Sequence, residues 1–143
     1  MLKAVIDAQV LFYFHYRKEK IPRMLLELKN KLIAREITAI IPIVAIAELF
    51  YKMSKKKKND TDEDVLRRIN ALQKAINRWK QADNIIIDNF DQEILDLMIQ
   101  NKTHHEIFDE IIAMSCKKHN TKIIYATDTK FRDIFGLELK SWK

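Results

Sequence analysis

Short apolar runs that read as buried strands alternate along this chain with longer stretches whose apolar residues recur at helical spacing. Leu2 to Ile6 predicts a first strand, ended by Asp7. Val10 to Phe14 begins the next helix, with His15, Tyr16, Arg17 and Lys18 at its polar end. Pro22 stands where a helix can start. Ile21, Leu25, Leu28 and Leu32 then step by four and three, which predicts an amphipathic helix to about Arg35. Thr38 to Ile41 is β-branched and apolar, a second strand. Pro42 stops it and opens a helix through Lys52.

A basic run, Lys55, Lys56, Lys57 and Lys58, is followed by Asn59 and the acids Asp60, Asp62, Glu63 and Asp64. Basic residues at one helix end and acidic ones at the next helix start suit both macrodipoles, so this is a helix–loop–helix. Val65, Ile69, Leu72, Ile76 and Trp79 form the inner stripe of its second helix. Asn84 to Ile87 is a third strand, and Asp88 or Asn89 is expected to cap the helix holding Ile94, Leu95 and Met98. Leu137 and Leu139, alternating with Glu138, suggest a short edge strand.

The stretch from Ile107 to Phe131 organises the rest. A helix from Asp109 to His119 is roughly 15 Å long at about 1.5 Å per residue. A strand from Lys122 to Ala126 is about as long at roughly 3.3 Å per residue. Asn120 and Thr121 leave room only for a reversal, so Asp109 and Asp128 return to one edge. Alternating strands and helices with right-handed crossovers predict an α/β fold: a three-layer α/β/α sandwich on a mostly parallel sheet of four to five strands. Residues 1–143 read as a single domain.

Composition narrows the function. With 48% hydrophobic residues the chain can bury a core, and a net charge of +6 favours an anionic partner, nucleic acid first. One cysteine, Cys116, excludes an internal disulfide and suits a reducing cytosol. A single glycine, Gly136, removes the Gly-rich phosphate loops. Neither a signal peptide nor a membrane span is expected, which points to the cytoplasm.

Asp7, Asp109 and Asp128 fall at the carboxyl edge of the sheet, where open α/β sheets place ligands. Glu48 is the only charged residue between Thr38 and Tyr51, and its longer side chain reaches back toward that edge. Converging carboxylates suit a hard divalent cation, Mg²⁺ or Mn²⁺, which assists phosphoryl chemistry. Each acid has a plainer reading as well. Asp7 suits a helix cap, Asp109 with Glu106 and Glu110 suits dipole compensation, and Asp128 suits a turn. Glu48 is hardest to explain that way, because acids are rare inside apolar runs. The signal is the combination.

The pieces VIDAQVL around Asp7, AIAELF around Glu48, FDEIIAMSCKKHNTKII around Asp109 and ATDTKF around Asp128 span nearly the whole chain. Their order resembles the PIN-domain nucleases, especially the VapC-like toxins of prokaryotic toxin–antitoxin pairs. That resemblance implies that Asp7, Glu48, Asp109 and Asp128 are the metal-binding acids of a Mg²⁺- or Mn²⁺-dependent ribonuclease. It also implies an RNA substrate, a homodimer and a small protein antitoxin. Two positions depart from the common pattern. Gln9 replaces the Ser or Asn that many members carry two residues after the first Asp. Ala126 replaces a Thr or Ser, with Thr127 displaced by one.

Two rival readings differ in class. An aspartyl-phosphate phosphatase or receiver also ends its first strand in Asp, but needs a further acid where this chain has Gln9 or a lone Asp7. A non-catalytic RNA-binding module would keep the fold with a degenerate pocket. Among other residues, Lys55 to Lys58 suit a solvated face, a partner contact or a grip on RNA phosphates. Adjacent His104 and His105 point about 100° apart on a helix and do not share a metal. His119 reads as a cation at a helix end, Cys116 as core, and Phe12, Tyr13 and Phe14 as core.

Overall fold

The computed structural model describes residues 1–101 and 106–143; the expectation for His104 and His105 lies outside them. Five strands form one sheet: β1 (Leu2–Ile6), β2 (Ile37–Pro42), β3 (Ile85–Asp88), β4 (Ile123–Tyr125) and β5 (Glu138–Lys140). Their order is β3-β2-β1-β4-β5, and every pairing is parallel. The helices are α1 (Ala8–His15), α2 (Arg23–Ile33), α3 (Ile43–Ser54), α4 (Asp62–Gln81), α5 (Gln92–Asn101), α6 (Ile107–Lys118) and α7 (Lys130–Asp133), with a 3-10 turn at Lys18–Lys20.

β1 is central, and its residues alternate between two covered faces. Ala4 and Ile6 join Ala39, Ile41 and Tyr125 against α1, α2 and α4. Val5 joins Ile40 and Ile124 against Ile112 and Cys116 of α6. This is the expected three-layer α/β/α sandwich, with a sheet that is wholly parallel. Because the chain has one glycine, Arg35, Asn59 and Asn120 take left-handed turns themselves, and Arg35 and Asn120 close α2 and α6. The φ of Asn120 is 55°, which asparagine tolerates better than most residues.

Several boundaries differ from expectation. α1 begins at Ala8 because Asp7 caps it, and α6 begins at Ile107 because Glu106 caps it. Neither Asp88 nor Asn89 caps α5: Asp91 does, accepting from the Ile94 backbone N–H at 3.1 Å. Asp88 is instead buried beneath α6. It accepts from Ser115 Oγ at 2.5 Å and from Lys118 Nζ at 2.6 Å, with His119 Nε2 3.3 Å away. His119 therefore turns inward to a buried carboxylate. A capping box of Thr61 and Asp64 opens α4, as the acidic cluster suggested. Arg68 closes α3 from across the loop, donating to the carbonyls of Met53 and Lys55 and to Asp60.

Candidate active site

Parallel pairing brings the ends of β1 and β4 side by side, since Ile6 is in register with Tyr125. Asp7 follows the first directly and Asp128 follows the second by a short loop. Asp7 caps α1, accepting from the Ala8 backbone N–H at 2.7 Å. Asp128 accepts from the Lys130 backbone N–H at 2.9 Å. Both local roles are real, and neither moves the residue away from the edge.

Asp109 is relieved of the local role. Glu106 is the N-cap of α6, and its two carboxylate oxygens accept from the backbone N–H groups of Phe108 and Asp109 at 3.1 Å each. The Asp109 carboxylate, one turn into the helix, is free to face the edge. There Lys130 Nζ lies 3.5 Å from Asp109 Oδ2 and 3.7 Å from Asp128 Oδ2, so one ammonium bridges two acids from separate elements. Glu48 enters from α3, and Lys52 follows it one helical turn later.

The acids feel one another. Burial pushes the Asp7 carboxyl up, and Asp109 and Asp128 push it further; the Ala8 N–H and Lys52 oppose this. Burial pushes Glu48 up to about 7, and Asp7, Asp109 and Glu106 add to the rise while Lys52 resists it. Asp109 is raised by burial first, then by Glu106 and Asp128, against Lys130. All four predicted acids thus share one electrostatic field. As they stand, no three His, Cys, Asp or Glu side chains among the described residues form a ready ligand set for one metal ion. Lys130 and Lys52 supply positive charge at this edge.

The donor set nevertheless fits a hard divalent cation. It is all carboxylate oxygen, and its members repel one another. Among the described residues neither Asp7 nor Glu48 is in an ion pair. Asp88 is the contrast: it is more deeply buried, yet it has a lysine and a hydroxyl.

Apart from Lys55, the residues beside Glu48 were not singled out by sequence. Beside Glu48 runs a depression of about 430 Å³ lined by Tyr51, Lys52, Lys55 and Phe108 among others. Tyr51 is 61% and Phe108 45% exposed. Lys52 has a sequence signal, its spacing of four from Glu48. Lys130 has only its place two residues after Asp128. The basic run splits up: Lys55 lies over the Tyr51 ring at 4.4 Å, Lys56 pairs with Asp62, and Lys57 donates to the Tyr16 hydroxyl at 2.9 Å. Only Lys55 of that run lines the groove beside Glu48.

The family model of the PIN domain matches residues 4–136, nearly the whole chain. This chain belongs to the PIN-domain family. Solved structures agree in fold. The crystal structure of VapBC2 from Rickettsia felis bound to a DNA fragment from their promoter is similar at a TM-score of 0.65 with 19% identity. That match covers 99% of this chain and 100% of the other. FitAcB from Neisseria gonorrhoeae is similar at a TM-score of 0.63 with 16% identity, over 95% of each chain. No curated protein matches the chain in sequence. Within this PIN domain, the positions that prompted the resemblance lie at one sheet edge. Among the described residues no helix is long and apolar enough to cross a membrane.

Proposed function

We propose that this PIN domain is a Mg²⁺- or Mn²⁺-dependent ribonuclease, the toxin of a toxin–antitoxin pair. The observation that carries this reading is the gathering of Asp7, Glu48 and Asp109 at one edge of a basic protein, where burial first and the neighbouring acids second raise all three carboxyl groups. Four acids that repel one another are matched to a divalent cation and poorly matched to a folded state that merely needs caps. Asp7, Glu48, Asp109 and Asp128 would hold the ion. When bound, it supplies charge neutralisation at the phosphoryl group and acidifies water. Lys52 and Lys55 attract the phosphates of an RNA strand lying along the groove, and the exposed rings of Tyr51 and Phe108 offer faces to unpaired bases. Lys56, Lys57 and Lys58 extend the positive surface outward.

A protein partner and a second copy fit the apolar surface near this edge. Ile43, Phe50 and Tyr51 of α3 and Ile107 and Phe108 of α6 are all exposed. The aspartyl-phosphate reading is weakened by Gln9, whose side-chain carbonyl is engaged by Thr127 and supplies no acid beside Asp7.

Incubation of the purified protein with single-stranded and looped RNAs tests the proposal. We expect cleavage with Mn²⁺ or Mg²⁺, none with EDTA, and none by Asp7→Asn. Cleavage that persists in EDTA, or no cleavage across a broad RNA panel, would overturn it.

A further inference from the structure

The opposite edge of the sheet holds a cavity of about 400 Å³, within the range of small-ligand sites. It lies where α1, α2 and α4 end and where β3 begins. Its charged residues are Lys18, Lys29, Arg35 and Arg78, and no carboxylate lines it. Arg35 is paired with Asp83 at 3.0 Å, outside the cavity. Lys18, Lys29 and Arg78 are in no ion pair among the described residues.

Helix C-termini attract cations, which accounts for Lys31, Arg78 and Lys80 in the last turns of α2 and α4. It does not account for Lys29, which lies earlier in α2, or for Lys18 in the 3-10 turn. Nor does it account for His15. The His15 Nε2 atom is buried without a hydrogen-bond partner. A buried polar atom of that kind calls for a partner. Burial, followed by Lys18, Arg78 and Lys29, holds this imidazole down at about 4, so three separate cations bear on one nitrogen. The His15 ring lies 4.8 Å from that of Trp79, and Phe14 and Ile85 complete an apolar wall. Asn84 offers nothing further, because its amide N–H groups are spent on the carbonyls of Leu32 and Ile37.

We propose that this cavity binds a small organic phosphate with a planar ring, a mononucleotide. The phosphate sits among Lys18, Lys29 and Arg78; the His15 Nε2–H, buried in the free protein, turns to donate to it, and the ring lies against Trp79 and Phe14. Because the polar groups serve the phosphate, the site reads the phosphate and the ring face and leaves the base unread. The site is separate from the acidic edge and does not rest on the nuclease reading.

Trp142→Phe leaves Trp79 as the only tryptophan and gives a direct reporter. In EDTA, 5′-AMP and 5′-UMP should change its fluorescence saturably. Inorganic phosphate should compete, and the nucleosides should not bind. Arg78→Gln and Lys29→Gln should each weaken binding about tenfold or more, the loss expected for one charged hydrogen bond. His15→Phe should melt no lower than its parent and still bind more weakly, which a merely structural histidine would not do. Asp7→Asn should bind unchanged. The proposal is overturned if neither mononucleotide binds saturably, if the nucleosides bind as tightly, or if Arg78→Gln and Lys29→Gln both bind like the parent. Binding of a hexaglutamate peptide in place of the mononucleotides would equally overturn it, by assigning the cavity to an acidic protein segment.

Discussion

Thr127 Oγ1 donates a 2.7 Å hydrogen bond to Gln9 Oε1. Gln9 is one of the two departures from the common family pattern, and Thr127 is the threonine displaced by one from the other, Ala126. Thr127 follows β4 and Gln9 lies in the first turn of α1, so the bond ties together the segments that carry Asp128 and Asp7. The displaced threonine and the glutamine make a polar link across the edge.

Breaking that link should be measurable by urea unfolding. Thr127→Val and Gln9→Leu should each cost about 1 kcal/mol, the usual net worth of one hydrogen bond. The double variant should lose little more than either single one, because removing both partners leaves no unpaired group. Strictly additive losses would show that the pair contributes no coupling.

Asp109 and Lys130 give a test that uses stability alone. The Asp109 carboxyl is raised overall despite Lys130, so its charge is a net burden in the metal-free protein. Asp109→Asn should therefore melt higher than wild type in EDTA. Mn²⁺ should raise the wild-type melting temperature by mass action and raise that of the variant much less. Lys130→Met should do the opposite: it should melt lower in EDTA, with Asp109 and Asp128 left to repel, and gain more from Mn²⁺ than wild type does. A wild type indifferent to Mn²⁺ would show that the four acids do not hold a metal ion.

Acidity should act with a defined sign. Glu48 is raised from 4.5 to about 7 in the fold. Between those values the native protein keeps a proton that the unfolded chain has released. Metal-free stability should therefore fall as pH rises from about 4.5 to about 7, with Asp7 and Asp109 contributing in the same direction. Glu48→Gln should flatten the upper part of that decline. Stabilisation by Mn²⁺ should grow over the same interval, because protons and metal compete for one set of oxygens. Chemical denaturation at several pH values in EDTA and in Mn²⁺ reads both slopes.

Asp88 should behave unlike the acids of the edge. Its partners are Ser115 and Lys118, and its side chain is 4% exposed. Lys118→Met should cost about 2 kcal/mol, the range of a hydrogen bond to a charged group, and Mn²⁺ should not recover it. Thermal melts of this variant with and without metal check the point. Equal stability to wild type would mean that α6 does not depend on this anchor.

The sequence by itself determined the layering. Period-two and period-3.6 patterns are local properties of the backbone, so β1, β2, α4 and α6 were readable from spacing, and alternation alone implied the parallel sheet. It also placed Asp7, Asp109 and Asp128 at strand and helix ends on one edge, because lengths along regular elements are fixed by rise per residue. What tertiary structure decided is which carboxylates are compensated. Asp7 follows β1 and Asp88 ends β3, so each stands at the carboxyl end of a strand. Lys118, distant in sequence, lands beside Asp88, whereas Asp7 receives other acids as neighbours. Glu106, not Asp109, caps α6, a choice of rotamer and approach angle that spacing cannot express. The basic cavity arises in the same way: Lys18 follows α1, Lys29 lies in α2 and Arg78 in α4, and only packing gathers their charges around the buried nitrogen of His15. Periodicity fixes where a side chain leaves the backbone. Its charge acquires a consequence only from neighbours within a few ångströms, and those are chosen by the fold.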